Sequence, residues 1–455
     1  MRNFDSFRTL YLYDYLLAPF IIAILIYCAK NFVEKKYLTL QIHKYVLPAL
    51  YVRIVGCILS GLMYQYYYGG GDTYSFFSGA LCLNDAIVDD ISNIDMLFKS
   101  LNEYTPFQKA YLRHHGGGGE WFFWGESSAI VCKIGAVLSF FTFKSYLAIG
   151  LILTYFAFLG CWKLFLVFYD IYPELHKKIA FSTLFIPSVF FWGAAGLMKD
   201  TIIMASLGYF TYGAYNLFIK KRKIVKSIFQ VSINFYLIFV IKPYVVIAFV
   251  PALIVWIFLI YRSKIKNSTL KALVTPLFLF VGITLGLITF QKISEGNTRY
   301  DSKEILKYAI TTQKYLTQRT ELADGSGYNL GEMDDLTPLG ILKIVPKAIN
   351  VTLFRPYIWE TKKPILIPSV LESLFFLLFT IYIFFKVGII GTIKNLFQDP
   401  NVVFCIVFSL IFAFAVGFST YNFGSLARYK IPCIPFYFLA LFIMESKIKK
   451  MQNKN

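Results

Sequence analysis

Apolar positions in this chain come in long blocks separated by short polar stretches, without the alternation of strands. Several blocks reach about 18 to 24 residues, which at helical rise matches the hydrocarbon core of a bilayer. Lipid offers no partner for backbone N–H and C=O groups, so such blocks must cross as helices. Eleven segments qualify: 15–33, 47–67, 146–168, 179–197, 201–219, 226–241, 244–261, 271–291, 366–387, 402–420 and 431–446. The pattern predicts an all-α, polytopic helical membrane protein with about eleven transmembrane helices. Residues 1–455 then form a single membrane-embedded domain.

Composition agrees. The chain is 57% hydrophobic, 19% aromatic and 16% charged, with a mean hydropathy of +0.59, which excludes an ordinary soluble enzyme. Residues 1–14 lack a basic stretch followed by a short apolar core and a cleavage site, so the first span is expected to target the chain. The net charge of +19 is dispersed over loops between spans. That reads as positive-inside topology and argues against nucleic acid as a partner. The seven cysteines lie mostly in apolar segments without a CxxC pair, as small buried hydrophobes do.

Loop charge orients the spans. KKRKIVK (220–226), RSKIK (262–266), the loop with Lys35, Lys36 and Lys44, and the C-terminal tail are basic and expected to be cytoplasmic. Segment 68–127 carries eight acids and three bases and is expected on the opposite side. Residues 128–219 must then cross three times, so 128–143, short and interrupted by Lys133, is expected to lie on the membrane surface as an amphipathic helix. Two long extracytoplasmic loops with juxtamembrane helices result, 68–145 and 292–365. The active face would be outside a bacterial cytoplasmic (inner) membrane, with the C-terminus inside.

That outer face gathers the uncommon charges. Asp72 follows the second span in YQYYYGGGDTYSFF; Lys199 and Asp200 occupy a hairpin tip, and Lys242 the next. Glu372 lies just inside a later span, Arg428 and Lys430 precede the last one, and Arg355 and Trp359 belong to FRPYIWE. Charges at span ends are costly unless paired or used. Arg and Lys select phosphate, a carboxylate serves as a general base or holds a divalent cation, and aromatic rings stack on sugars. Asp72 and Asp200 are the candidate catalytic carboxylates, with a divalent cation beside Asp72 as an option. Lys199, Lys242, Arg355, Trp359, Glu372, Arg428 and Lys430 are the candidate substrate ligands. Snorkelling side chains and an aromatic belt are the bland explanation of the same residues.

GGGDTYSFF, FKSYLAIG, FIPSVFFWGAAGLMKDTI and ARYKIPCIPFYFLAL together resemble the GT-C class of integral membrane glycosyltransferases and the related bacterial exopolysaccharide and O-antigen polymerases. The resemblance implies Asp72 as the base or metal-proximal carboxylate, and Arg428 and Lys242 as ligands of a carrier phosphate. It implies sugar transfer from a polyprenyl-phosphate- or diphosphate-linked donor to a glycan or lipid acceptor. Asp72 stands beside Thr73 where many GT-C enzymes have paired acids.

Two other functions fit the same spans: a lipid or glycan transporter or flippase, and a membrane scaffold in an envelope complex. HHGGGGE (114–120) is too loose to preorganise a metal, and DGSGYNLGEMDD (324–335) lacks EF-hand spacing. Arg53, inside the second span, needs a partner.

Overall fold

The computed structural model describes residues 9–114, 125–267, 327–331, 338–360, 363–388, 391–393 and 399–452. The expected span 271–291, most of the loop 292–365 and the glycine-rich stretch after His114 lie outside these described residues. The helices are α1 (Leu12–Cys28), α2 (Val46–Met63), α3 (Asp72–Asp89), α4 (Pro106–His114), α5 (Glu126–Phe141) and α6 (Tyr146–Ile171). Then come α7 (His176–Ala180), α8 (Pro187–Trp192), α9 (Lys199–Ala214), α10 (Ile224–Ile241) and α11 (Pro243–Ser263). After the undescribed stretch follow α12 (Pro338–Phe354), α13 (Ile367–Val387), α14 (Pro400–Thr420), α15 (Phe423–Tyr429) and α16 (Ile434–Gln452). Among the described residues no β-strand forms; Gly327 and Asn422 make an isolated antiparallel bridge.

Eight of these helices, counted with the π and 3-10 turns that extend some of them, are long and apolar enough to cross a membrane. The number is nine if α15 and α16, bent by 65° at their junction, form one span. These coincide with nine of the segments read from the sequence. Segment 179–197 differs: it is no single helix. The chain widens into a π-helical turn over Phe181–Phe185, becomes extended at Ile186, and restarts as α8 at Pro187. Pro187 has no N–H to give the carbonyl of Thr183, four residues back, so the helical ladder must stop there.

Two compact groups of helices form. The first comprises Met1–Ile171, Thr183–Ala214 and Val225–Lys242. Its centre is α6, against which α1, α2 and α9 pack. The approach of α6 to α9 requires glycine: a Cβ on Gly208 would stand 2.0 Å from Gly160 O. Small residues let membrane helices gain dispersion energy that lipid cannot supply. In this group α5 is helical as expected, with one face resting on α3, where Asn84 Nδ2 donates to Ala136 O at 3.2 Å.

The second group comprises Tyr172–Ser182, Tyr215–Ile224 and Pro243–Asn455. Here α14 is central, packed by α11, α12 and α16. Its core is aromatic. Trp256 stacks on Phe404 with ring centroids 4.5 Å apart, and its Nε1 donates to Asn401 Oδ1 at 2.8 Å. That bond lets a large apolar ring be buried without stranding its polar edge.

Candidate functional site

In the first group, Asp72 is exposed and opens α3, where a carboxylate complements the positive helix end. The preceding residues Gly69, Gly70 and Gly71 have φ of 64°, 153° and 129°. All three lie where an L side chain is strained, so the turn out of α2 is written in glycine. Just inside, Thr73 Oγ1 and Tyr146 OH share a 2.9 Å hydrogen bond. A second carboxylate, Asp14, is fully buried nearby on the same scaffold: Ser145 Oγ donates to Oδ1 at 2.6 Å, Leu147 N at 3.3 Å, and Tyr11 N to Oδ2 at 2.9 Å. Asp14 thus serves the N-termini of both α1 and α6.

Asp200 and Lys242, 42 residues apart, form a buried ion pair in which Lys242 Nζ donates to Asp200 Oδ1. Lys199 donates instead to Ser127 Oγ at 2.9 Å and Ser128 Oγ at 3.1 Å, with its ammonium over the Phe76 ring. On α5 the nearly buried Lys133 donates to Lys99 O at 2.5 Å. Burial pulls its ammonium below the ordinary lysine value, partly opposed by Glu126 and Glu103.

Arg53 is fully buried and finds its partners in carbonyls. Nη1 donates to Ala49 O and Leu184 O, each at 3.0 Å, and Nη2 to Thr183 O at 3.3 Å. Two of these oxygens end the π-helical turn before Pro187. A cation at a helix C-terminus meets the negative end of its dipole. The guanidinium therefore takes the place of the N–H groups that the break before Pro187 withdraws.

The second group holds Arg355, Trp359, Glu372, Arg428 and Lys430. Arg355 is gripped bidentately by Glu360, through Nε to Oε2 at 2.9 Å and through Nη2 to Oε1. Its guanidinium also lies within 5.4–5.9 Å of the ring centres of Phe423, Tyr328 and Tyr357. Ser373 Oγ donates to Arg355 O and receives Lys430 Nζ, both at 3.0 Å. Lys430 is fully buried at the α15–α16 bend, within electrostatic reach of Glu372. Ser373 therefore ties Arg355 to Lys430. Trp359 is 80% exposed and stacked on Tyr357 at 5.0 Å, and Arg428 is half-buried over the Tyr429 ring.

A cavity of about 290 Å³ opens beside Arg355, lined also by Asn329, Leu330, Gly331, Lys347 and Asn350. Lys347 Nζ donates to Leu330 O at 3.3 Å, and Asn350 exchanges hydrogen bonds with Tyr357 OH. Lys347 and Asn350 were not legible as residues of this cavity: a lysine on an apolar helix carries no motif, and Asn350 reads only as the start of an Asn-Val-Thr glycosylation sequon.

The other end of the second group holds two further buried acids. Glu445 meets Lys178, and Lys386 at 3.6 Å; Asp399 meets Lys447 at 2.8 Å and Tyr172 OH at 2.5 Å. Loop-charge counting reads Lys447 in the C-terminal tail as a topology marker and overlooks Asp399, which it meets. Among the described residues no three His, Cys, Asp or Glu side chains gather to hold a metal.

No protein-family model matches the chain, and neither does any curated protein or solved structure.

Proposed function

We propose that this protein transfers a sugar from a polyprenyl-phosphate- or diphosphate-linked donor in cell-envelope or exopolysaccharide assembly, as a transferase or a polymerase. The reading includes about eleven crossings of a bacterial cytoplasmic membrane, an extracytoplasmic active face and a cytoplasmic C-terminus. The observation that carries it is the cavity where Lys347 and Arg355 meet Asn350, flanked by the stacked Tyr357 and Trp359. Two cations suit a phosphoryl group, and an exposed aromatic stack suits a sugar face. Glu360 occupies Nε and Nη2 of Arg355 and holds the fork while Nη1 is left to a ligand. In the reaction, an acceptor hydroxyl oxygen bonds to the anomeric carbon, the bond from that carbon to the phosphate oxygen breaks, and the phosphate leaves with the electron pair. The hydroxyl proton passes to a carboxylate, for which Asp72 and Asp200 are the candidates read from the sequence.

The test is turnover of a polyprenyl-phosphate-linked sugar by the full-length protein in nanodiscs. Lys347→Met, which disturbs no ion pair among the described residues, should lower turnover about a hundredfold with the protein still inserted. Full turnover by both Lys347→Met and Arg355→Ala would rule the reading out.

A transporter or flippase is the second reading, favoured by the bent α15–α16 segment with Lys430 buried at its break. Broken helices with a buried charge are how transporters build midplane sites. Movement of the lipid-linked sugar between leaflets without its consumption would select this reading over transfer.

A further inference from the structure

In the second group the turn at 220–223 meets the end of α11. Tyr261 OH donates to Phe218 O at 2.6 Å, a carbonyl of the π-helical turn Tyr215–Lys220. The Tyr261 ring also gathers two cations: Lys221 Nζ lies 5.5 Å from its centre and Lys264 Nζ 5.2 Å. An ammonium is attracted to a tyrosine ring, but two drawn to the same ring repel each other. Neither lysine has an ion-pair partner among the described residues. The chain carries no acid at all between Asp200 and Glu295. The two charges therefore converge without a counter-ion of their own.

The turn that presents Lys221 is anchored from below. Arg222 N donates to Asn216 O at 3.0 Å, and its Nε to Asn216 Oδ1 at 2.6 Å, with Asn216 buried. Lys221 and Lys223 hold φ of 53° and 52°, where an L side chain is strained. Apolar surface borders the turn: Phe218 is 39% exposed and Ile224, which opens α10, is 52% exposed. A soluble anion would use the ammonium groups and leave Phe218 and Ile224 in water. A phospholipid uses both, its phosphate oxygens accepting from the two lysines and its acyl chains covering the apolar side chains. A choline headgroup would set a third cation against the pair, so the arrangement selects a headgroup of net negative charge.

We propose that Lys221, Lys264 and Tyr261 form a site for the headgroup phosphate of an anionic phospholipid. The proposal rests neither on the reading of the Arg355 cavity nor on which face of the membrane carries the site.

The experiment is native mass spectrometry of the full-length protein released from detergent micelles, titrated with phosphatidylglycerol or phosphatidylcholine. Phosphatidylglycerol should bind about tenfold more tightly than phosphatidylcholine. Lys221→Gln and Lys264→Gln, both at exposed positions, should each weaken phosphatidylglycerol about fivefold, and together about thirtyfold. Lys35→Gln, an exposed base in the other group, should leave binding unchanged. Equal affinity for the two lipids, or undiminished phosphatidylglycerol binding by the double variant, overturns the proposal. An equal loss with Lys35→Gln overturns it in favour of a general charge effect. Displacement of phosphatidylglycerol by inorganic phosphate, but not by sodium chloride of the same ionic strength, overturns it in favour of a free-anion site.

Discussion

Arg53 Nη1 donates to Leu184 O at 3.0 Å, and no carboxylate among the described residues pairs with it. A fully buried guanidinium here satisfies carbonyls orphaned by a proline, which is how this span carries an arginine in lipid. Arg53→Met should lower stability by about 2–3 kcal/mol, the cost of leaving a buried carbonyl without its donor. Arg53→Lys, with fewer donors, should fall between. Thermal unfolding in detergent measures both; a Met variant as stable as the parent would show that the carbonyls find other donors.

The ion pair of Asp200 and Lys242 separates structure from chemistry. Asp200→Asn alone leaves a buried ammonium without its counter-ion and should cost about 3–5 kcal/mol. The double substitution Asp200→Asn, Lys242→Met removes both charges and should recover most of that stability. If Asp200 takes a proton during transfer, the double variant is stable yet inactive in the nanodisc turnover assay. Activity equal to the parent would make the pair purely structural.

Gly208 faces Gly160 across the α6–α9 contact with no room for a side chain. Gly208→Val should destabilise the protein by about 3 kcal/mol, because backbone sits where the new Cβ must go. Detergent unfolding checks this, and a neutral result would mean the two helices can separate freely.

Lys133 gives a pH prediction with a definite sign. Its folded-state value lies below the ordinary 10.5, so the folded protein binds fewer protons than the unfolded chain in that interval. Stability contributed by this group therefore rises as pH climbs toward 10.5. Relative to Lys133→Met, the parent should gain thermal stability between neutral pH and pH about 10. A difference that stays constant with pH would mean the ammonium is not desolvated in the folded state.

Hydropathy made the spans legible, because a bilayer-length apolar block has few alternatives. It could not show that 179–197 breaks, since an apolar run with a proline reads the same whether the helix kinks or stops. The glycine turn before Asp72 was readable because three adjacent glycines have a backbone cause. The Asp200–Lys242 pair was half-visible: both charges were singled out, but nothing local joins residues 42 positions apart. Asp14 went unnoticed, since an acid in a helix's first turn is commonplace and its burial depends on Ser145 and Leu147 from elsewhere in the chain. Glu445 and Asp399 were hidden for a related reason: Lys178, Lys386 and Lys447, which hold them, come from distant parts of the chain.

The run Gly69–Gly71 has a consequence for inheritance. Gly70 and Gly71 hold backbone angles that every other genetically encoded residue resists, while Gly69, at φ 64° and ψ 22°, has room for asparagine. Almost any missense change in these three codons would alter the direction in which α3 leaves the end of α2. A substitution here would move Asp72 without touching it, and such alleles would look like active-site losses while every candidate site residue stayed intact.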